Sequence, residues 1–375
     1  MDECAAGDHS RVGRGFMNTV VSELADAAAL CGRITTVLEG FLDDKAQTAA
    51  KLGMPPEVTQ CLRDFVGVGG KRLRPLLCLT GWQAAGGCGT PEAVVGVAAS
   101  LEMFHTFCLI HDDVMDDSGS RRGAPTVHRR LALRHGPGRS TSAAERVGAS
   151  CAILIGDLAL CWSGELLHAA GLTTAQLGAV LPLVDDMRSE VMYGQYLDVT
   201  TAGRPTTDVE RALRIARYKT AKYTVEHPLH IGAAVAGATP AVREALSAYA
   251  LPVGEAFQLR DDLLGVFGTP EVTGKPALDD LREGKHTVLA ALALQRADRE
   301  QRRTLDSLLG SPALDAAGAA HLRAILTVTG ARGEVEDMIQ TRRAQALRVL
   351  DTAPFPSAAT VSLRQLADSA LVRAS

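Results

Sequence analysis

The sequence predicts an all-α fold. Long segments rich in Ala, Leu, Arg and Glu repeat apolar residues at three- and four-residue spacing, as at Ala93, Val97 and Leu101, which is the periodicity of a helix with one buried face. Strand signals are sparse, because aromatic residues make up only 4% of the chain and no Asn-Gly hairpin turn occurs. Interruptions containing glycine and proline divide the chain into helices of roughly ten to thirty residues.

The composition is that of a globular protein. The chain has 375 residues, 46% of them hydrophobic and 22% charged, with a net charge of -4, which argues against a disordered chain and against nucleic acid as a partner. Its eight cysteines contain no CxxC pair, and this fits a reducing cytoplasm. The mixed polarity of the first residues is not that of a secretory signal. We therefore predict a disordered tail at residues 1–15 and a single all-helical domain at 16–375.

The sequence predicts a specific local structure for two segments, an apolar stretch and a polar one. The most apolar stretch, 147–162, is interrupted by Asp157 and is shorter than the roughly 20 apolar residues that a membrane span requires. It predicts a buried core helix and no stable membrane insertion. The stretch 134–145 is polar, rich in glycine and without periodicity, so it predicts a mobile loop.

An acidic group follows an apolar helical run. In DDVMD, Asp112 and Asp116 are four residues apart and project from one face of a helix, with Asp113 beside them. Such like charges repel, and a ligand set of oxygens alone suits Mg²⁺. Arg121 and Arg122 follow, whose guanidinium groups match phosphate oxygens. The pattern predicts a metal-bridged diphosphate site, although a solvated helix end beside a salt-bridged loop contains the same residue types.

A basic group precedes another helix. The stretch GGKRLRP places Lys71, Arg72 and Arg74 directly after two glycines. Glycine lets backbone N–H groups approach an anion, and a helix N-terminus adds a favourable partial charge. The spacing is not that of a P-loop, so no nucleotide site is predicted. The group outlines an anion pocket, with a plain basic turn as the alternative.

A second acidic pair lies later in the chain. In FQLRDDLLG, Asp261 and Asp262 run directly into an apolar stretch and follow Gln258. This order is awkward for a surface feature and natural for a second metal site. Gly265 occupies the position where a third aspartate would repeat the spacing of DDVMD.

Smaller motifs accompany these groups. They are the Lys219–Thr220 pair in YKT and Gln195 in GQYLD, each of which alone also fits a solvated helix surface. Taken in order, GGKRLRP, HDDVMD with RRG, GDLAL, GQYLD, YKT, FQLRDD and GKPALDDLREGKHT span roughly residues 64–289. In these motifs the chain resembles the trans-isoprenyl diphosphate synthases of the polyprenyl synthetase family.

The resemblance implies a prenyltransferase. It implies an all-α bundle around a deep central cavity, a homodimeric assembly, and condensation of isopentenyl diphosphate with allylic diphosphates by ionisation, condensation and elimination. The cofactor implied is Mg²⁺, about three ions, with Mn²⁺ as a substitute. The released diphosphate is the implied base, so no side chain is nominated for that role.

The resemblance also implies roles for individual residues. The implied metal ligands are Asp112, Asp113, Asp116, Asp261 and Asp262. The residues implied to contact the allylic diphosphate are Arg121, Lys219 and Lys275, and Lys285 is a further predicted substrate-binding residue. The implied isopentenyl diphosphate site consists of Lys71, Arg74, His105 and Arg122. The residues implied to line the carbocation are Gln195, Thr220 and Gln258.

Product length is implied by the residues that precede the first aspartate. Phe107 stands five residues before Asp112, Cys108 is small, and Phe104 lies one turn further down the helix. An aromatic residue at this position without an insertion in the motif resembles enzymes that form geranylgeranyl diphosphate. Farnesyl diphosphate is the second choice and a twenty-five-carbon product the third.

Two other functions share part of the pattern. A terpene cyclase also uses an aspartate-rich helix but carries an Asn/Asp-Ser-Glu triad, and here Tyr193 stands in the Glu position after Asp186 and Ser189. A non-catalytic partner subunit typically loses the first aspartates, which are intact here. The DDLLG form of the second motif leaves open how a third metal ion is held.

Overall fold

The computed structural model describes residues 9–268 and 278–369, which form sixteen α-helices, one π-helical segment and one short hairpin. The helices are α1 (His9–Lys51), α2 (Glu57–Gly67), α3 (Leu73–Ala84), α4 (Glu92–Met115), α5 (Val127–His135), α6 (Thr141–His168), α7 (Thr174–Thr201), α8 (Val209–Ile215), α9 (His227–Val235), α10 (Pro240–Phe267), α11 (Asp279–Glu283), α12 (Val288–Arg296), α13 (Arg299–Leu308), α14 (Ala316–Val328), α15 (Ala331–Thr352) and α16 (Ser357–Ser369). The π-helical segment, Ala216–Glu226, joins α8 to α9, and the hairpin pairs β1 (Ser120–Arg121) with β2 (Ala124–Pro125). The prediction of an all-α fold is confirmed.

Helix α4 lies inside the bundle because it is apolar on nearly all of its sides. Its residues from Val94 to Phe104 are buried without exception, and α1, α3 and α6 pack around it. A helix of this kind is stable only when protein surrounds it. The apolar run ends at the last turn, where acidic residues replace apolar ones and the site begins.

Helices α4 and α6 are both long and apolar enough to cross a membrane by length and composition alone. In α4 the most apolar window is 72% buried, as in the core helix of a soluble protein. Helix α6 contains the apolar stretch 147–162, but only 33% of its window is buried. The prediction of a buried core helix is therefore wrong for one face of α6, where Ile153 and Leu154 are 44% and 64% exposed.

The β1–β2 hairpin has no counterpart in the sequence analysis because each strand is only two residues long. Its two turn residues, Arg122 and Gly123, both have positive φ, 53° and 78°, which is the backbone of a tight two-residue hairpin turn. This conformation is uncommon for a residue other than glycine and stores backbone strain. The turn directs Arg121 back towards the end of α4.

The mobile loop predicted at 134–145 is wrong in extent, because only 136–140 separate α5 from α6. The last turn of α5 is held by α2: Glu57 Oε2 lies 2.6 Å from Arg134 Nε, and Glu57 Oε1 lies 3.2 Å from His135 Nε2. On the other side of the gap, alanines and a glutamate favour an early start of α6.

The N-terminal boundary predicted from the sequence stays a prediction. Residues 1–8 of the expected tail at 1–15 lie outside the described residues, and α1 begins at His9, within that segment.

The described helices pack through shared neighbours: α10 contacts both α15 and the π-helical segment, and α7 also contacts that segment.

Candidate active site

One large cavity opens between α4, α7, the π-helical segment and α10. Its volume is about 590 Å³, and apolar side chains such as Val191 and Met192 line it beside ionisable ones. The predicted site residues that line it are Arg74, His105, Phe107, Cys108, Asp112, Gln195, Lys219, Thr220, Gln258, Asp261 and Lys285. Lys275 lies outside the described residues. An apolar cavity with a few convergent polar groups is the usual form of a small-molecule site.

Asp112 is the carboxylate of the first acidic group that reaches this cavity. Gln195 Nε2 donates to its Oδ1 at 3.0 Å, and Lys219 Nζ does so at 3.2 Å. Arg121 Nη2 lies 3.5 Å from Oδ2. Burial alone would raise the pKa of Asp112, but the charges of Lys219, Lys285 and Arg121 lower it to about 2. The carboxylate is therefore ionised at neutral pH and faces the cavity.

Asp113 points into the protein instead. Its side chain is 1% exposed, and Nε of Arg121 lies 2.8 and 2.9 Å from its two carboxylate oxygens. Burial opposes the charge of Arg121, but Asp113 and Asp112 raise the pKa of this guanidinium. Asp113 thus holds Arg121 at the end of α4, and its role as a metal ligand stays a prediction.

Two lysines stand among the carboxylates. Lys219 Nζ lies 2.5 Å from Asp198 Oδ2 as well as close to Asp112, and these two acids raise the lysine's pKa although burial opposes them. Lys285 Nζ lies 3.4 Å from Asp116 Oδ2. Burial raises the pKa of Asp116, and the charge of Lys285 offsets this only in part. Each lysine thus lies against an acidic group of the site.

The second acidic pair is divided between two environments. Asp261 lines the same cavity as Asp112, whereas Asp262 lies in smaller clefts beside Asp280. Gln258 Nε2 donates to Asp262 Oδ1 at 2.7 Å and its Oε1 accepts from Thr220 Oγ1 at 2.5 Å. Burial raises the pKa of Asp262 to about 7, and the neighbouring acids add to this.

We expect Asp262→Asn to stabilise the metal-free protein above pH 7 by on the order of 2 kcal/mol, with little change below about pH 4. The folded-state pKa of about 7 exceeds the ordinary value of 3.8, so the folded protein binds this proton more tightly and wild-type stability falls as pH rises between the two values. The side chain is only partly buried, and screening by water keeps the effect below the full shift.

Urea unfolding at pH 4, 6 and 8 with a chelator present measures this difference. Asp306→Asn, a change in an exposed pair on α13, is the matched control and should show no such pH dependence. If Asp262→Asn raised the free energy of unfolding equally at pH 4 and pH 8, the raised pKa of Asp262 would be contradicted.

Another part of the cavity wall carries a separate cationic group. Arg74 Nη2 donates to Thr224 Oγ1 at 2.6 Å, and its guanidinium lies 4.2 Å from the centre of the Tyr223 ring. The Tyr223 hydroxyl lies 3.1 Å from His105 Nδ1. Burial, with the charge of Arg74 behind it, lowers the pKa of His105 well below its ordinary value. His105 is therefore neutral, and Arg74 supplies the charge.

The remaining basic residues lie outside the large cavity. Gly70 lies directly beside Arg122: a Cβ atom there would approach Arg122 Nη2 to 2.7 Å, so the guanidinium group would have to shift. Lys71 is exposed. Arg72, which the sequence placed in the anion pocket, is buried and paired with Glu102 at 2.7 Å, so it faces a carboxylate inside the core instead of an anion in the cavity.

Asp198, in the same GQYLD motif as Gln195, accepts from Lys219 and is 8% exposed; it lines a smaller cleft beside the cavity. Sequence reasoning missed two residues of the cavity. Tyr223 and Thr224 line the cavity one turn beyond the Lys-Thr pair. No signal identified them, because the π-helical hydrogen-bonding pattern changes which residues share a face.

Residues 55–326 match the family model described as polyprenyl synthetase. The chain is 33% identical over 258 residues to the geranylfarnesyl diphosphate synthase of Aeropyrum pernix, covering 66% of this chain and 73% of the relative. The chain belongs to the polyprenyl synthetase family. It is a prenyltransferase of the isoprenoid pathway.

Other members of the family differ in product. A crystal structure of the geranylgeranyl pyrophosphate synthase of Corynebacterium glutamicum, complexed with isoprenyl diphosphate and magnesium, is 41% identical with a TM-score of 0.87, over 92% of this chain and 98% of that one. A (2E,6E)-farnesyl diphosphate synthase of Mycobacterium tuberculosis is 37% identical over 219 residues, 58% of this chain and 55% of the relative. The relatives agree on the class of reaction and not on chain length.

The acidic residues of this prenyltransferase fit a Mg²⁺ site that a diphosphate completes. Among the described residues, no three His, Cys, Asp or Glu side chains converge into a metal site of their own. Mg²⁺ usually keeps several waters and takes one or two carboxylates together with substrate phosphates. Asp112 and Asp261, which line one cavity, provide carboxylates of this kind. The family in general depends on Mg²⁺.

Aromatic side chains of α4 lie in and behind the wall of the prenyltransferase cavity. Phe107 and Cys108 line the cavity. Phe104, 1% exposed, does not line it and lies behind Phe107 with ring centres 5.3 Å apart. Of the three residues predicted to set chain length, two therefore line the cavity and one packs behind them.

Proposed function

We propose that this enzyme condenses isopentenyl diphosphate with allylic diphosphates and forms geranylgeranyl diphosphate as its main product. The observation that carries the proposal is the single cavity that joins three parts: Asp112 and Asp261, a separate cationic group at Arg74, and an apolar floor at Phe107. Two anionic head groups and one growing apolar chain need these three environments.

The acidic part serves the allylic substrate. Asp112, Asp116 and Asp261, supported by Asp262, are the proposed Mg²⁺ ligands, for about three ions with Mn²⁺ as a substitute. Bound Mg²⁺ would draw negative charge from the departing diphosphate. The proposed diphosphate contacts of the chain itself are Arg121, Lys219, Lys275 and Lys285. Lys219 is well placed because Asp112 and Asp198 hold its ammonium group at the cavity wall.

Side-chain oxygen atoms stabilise the allylic cation that forms when the diphosphate departs. Gln195, Thr220 and Gln258 line the cavity beside Asp112 and Asp261, and their side-chain dipoles stabilise positive charge without forming a bond to it. The hydrogen bond from Thr220 to Gln258 fixes the orientation of that amide. The released diphosphate takes the proton in this scheme, and no side chain is assigned as base.

The cationic part serves isopentenyl diphosphate. Lys71, Arg74, His105 and Arg122 are the proposed contacts, and Arg74 and His105 line the cavity. Because His105 is neutral, it offers a hydrogen bond while Arg74 supplies the charge. Lys71, exposed on the loop before α3, would contact the outer phosphate.

A terpene cyclase is the weaker alternative. Asp186, Ser189 and Tyr193, the nearest match to a cyclase metal triad, are all exposed on α7, with Tyr193 71% exposed. None of the three lines the large cavity. A non-catalytic partner subunit is also disfavoured, since Asp112 and Asp116 are present and face charged partners.

The purified protein should elongate allylic primers when incubated with isopentenyl diphosphate and Mg²⁺. Dimethylallyl, geranyl and farnesyl diphosphate are tested separately, and products are separated by chromatography after removal of the phosphates. We expect a twenty-carbon product from all three primers. No elongation with any primer would overturn the proposed function, and a fifteen- or twenty-five-carbon main product would overturn the assigned chain length.

We also propose a cytoplasmic homodimer. Exposed apolar side chains lie on both α6 and α7, among them Leu154 and Tyr193 at 64% and 71% exposure. Apolar surface of this kind is normally covered by another protein surface. Light scattering of the purified protein measures the oligomeric state, and a monomer at micromolar concentration would contradict the assembly.

A further inference from the structure

Gly265 removes the third carboxylate of the second aspartate-rich motif, and a carboxylate from another helix fills the space. Asp280 belongs to α11, which packs against α10. A Cβ atom built on Gly265 would overlap Oδ2 of Asp280 and lie 2.9 Å from its Cγ. A side chain at position 265 and Asp280 in its observed place therefore exclude each other.

Asp280 acts on the cavity through Lys285. The Nζ atom of Lys285 lies 3.9 Å from Asp280 Oδ1, 2.9 Å from Glu283 Oε2 and 3.4 Å from Asp116 Oδ2. The Lys285 side chain is 22% exposed and lines the cavity. A largely buried ammonium group requires such partners. The three carboxylates thus hold the ammonium group of Lys285 between α11 and the end of α4.

We propose that Asp280 takes over the place of the absent third aspartate and positions Lys285 towards the substrate diphosphate. The inference rests on the proposed function, because a diphosphate is the group that Lys285 would meet in the cavity. Asp280 is a positioning residue: it acts through Lys285 and need not touch the substrate. Its carboxylate reaches, from α11, the space that a side chain at position 265 of α10 would occupy.

A reciprocal exchange tests the proposal. Asp280→Ala should lower kcat/KM by about 10-fold, chiefly through a higher KM for the allylic diphosphate, because an ion-pair partner of the largely buried Lys285 is lost. Asp280→Asn keeps the shape without the charge and should lose activity in the same direction. Gly265→Asp alone places a carboxylate against Asp280 and should also weaken activity. The double change, Gly265→Asp with Asp280→Ala, should return kcat/KM to within about 3-fold of the wild type.

A binding measurement separates this role from a general loss of structure. Calorimetric titration of each variant with inorganic pyrophosphate and Mg²⁺ involves no turnover, and we expect affinity to follow the same order. Asp306→Ala, in an exposed pair on α13, is the control and should match the wild type. Melting temperatures of all variants show whether each is folded.

Two results would overturn the inference. One is a double variant that binds pyrophosphate no better than Asp280→Ala. The other is an Asp280→Asn variant that binds and reacts as the wild type does. If the wild type binds pyrophosphate but elongates no primer, the proposed function fails, while the order of affinities still decides the role of Asp280.

Discussion

Asp112→Asn should lower kcat/KM by about 10³-fold, equivalent to about 4 kcal/mol of transition-state stabilisation. Asp112 is the carboxylate of the first motif that lines the cavity, and its contacts with Lys219 and Gln195, at 3.2 and 3.0 Å, tie α4 to the π-helical segment and to α7. The substitution keeps the shape of the side chain and removes its charge. Diphosphate departure then loses a metal ligand at the point where negative charge develops.

Steady-state kinetics with each substrate varied at saturating Mg²⁺ measures this loss. Asp43→Asn is the matched control: Asp43 is 59% exposed in a pair with Arg63 at 2.6 Å, away from the cavity, and exposed pairs contribute little. It should retain full activity. An Asp112→Asn variant that is folded and within 10-fold of the wild type would remove Asp112 from the proposed metal site.

Phe107→Ala should lengthen the main product by at least one five-carbon unit. Phe107 lines the cavity, and its ring packs on Phe104 behind it and on His111 beside it, at 5.3 and 4.7 Å between ring centres. Removal of the ring opens space before Phe104, which then becomes the floor. Well-packed interiors only partly collapse after such a change, so a cavity remains for the chain.

Product chromatography with farnesyl diphosphate as primer measures this shift. Phe41→Ala removes an aromatic ring of α1 that packs against Trp162 at 6.0 Å between ring centres and does not line the cavity, so the product should be unchanged. A further change, Phe104→Ala in the Phe107→Ala background, should lengthen the product again. An unchanged product distribution for Phe107→Ala would show that another residue sets the floor.

Much of the fold is encoded locally. Helical hydrogen bonds join residues four apart, and the apolar spacing that accompanies them repeats within each segment. The all-α prediction therefore needed no knowledge of packing. The apolar run that becomes α4, and the acidic residues that end it, are likewise contiguous in the sequence. The prediction of a loop at 134–145 was wrong because Glu57 of the distant helix α2 pairs with Arg134 and His135. These ion pairs extend α5 beyond the residues that its local pattern indicates.

The residue types of the site were also visible in the sequence. Asp112, Lys219, Gln258 and Asp261 all line the cavity, because each occurs in a motif whose spacing fixes one helix face. The sequence did not show side-chain orientations that depend on contacts with distant elements. Asp113 turns inward because the hairpin brings Arg121 to it, and Arg72 turns inward towards Glu102.

The sequence by itself determined the helical class, the two aspartate-rich motifs and an aromatic residue of the cavity wall. Only the tertiary structure decided which carboxylate of each motif faces the cavity and how the gap at Gly265 is filled. Lys285 and Asp116 are separated by 169 positions in the chain, yet their charges meet. Asp280 fills the space at Gly265 from a different helix. Such contacts depend on how helices pack, and local periodicity carries no information about partners so far apart in the chain.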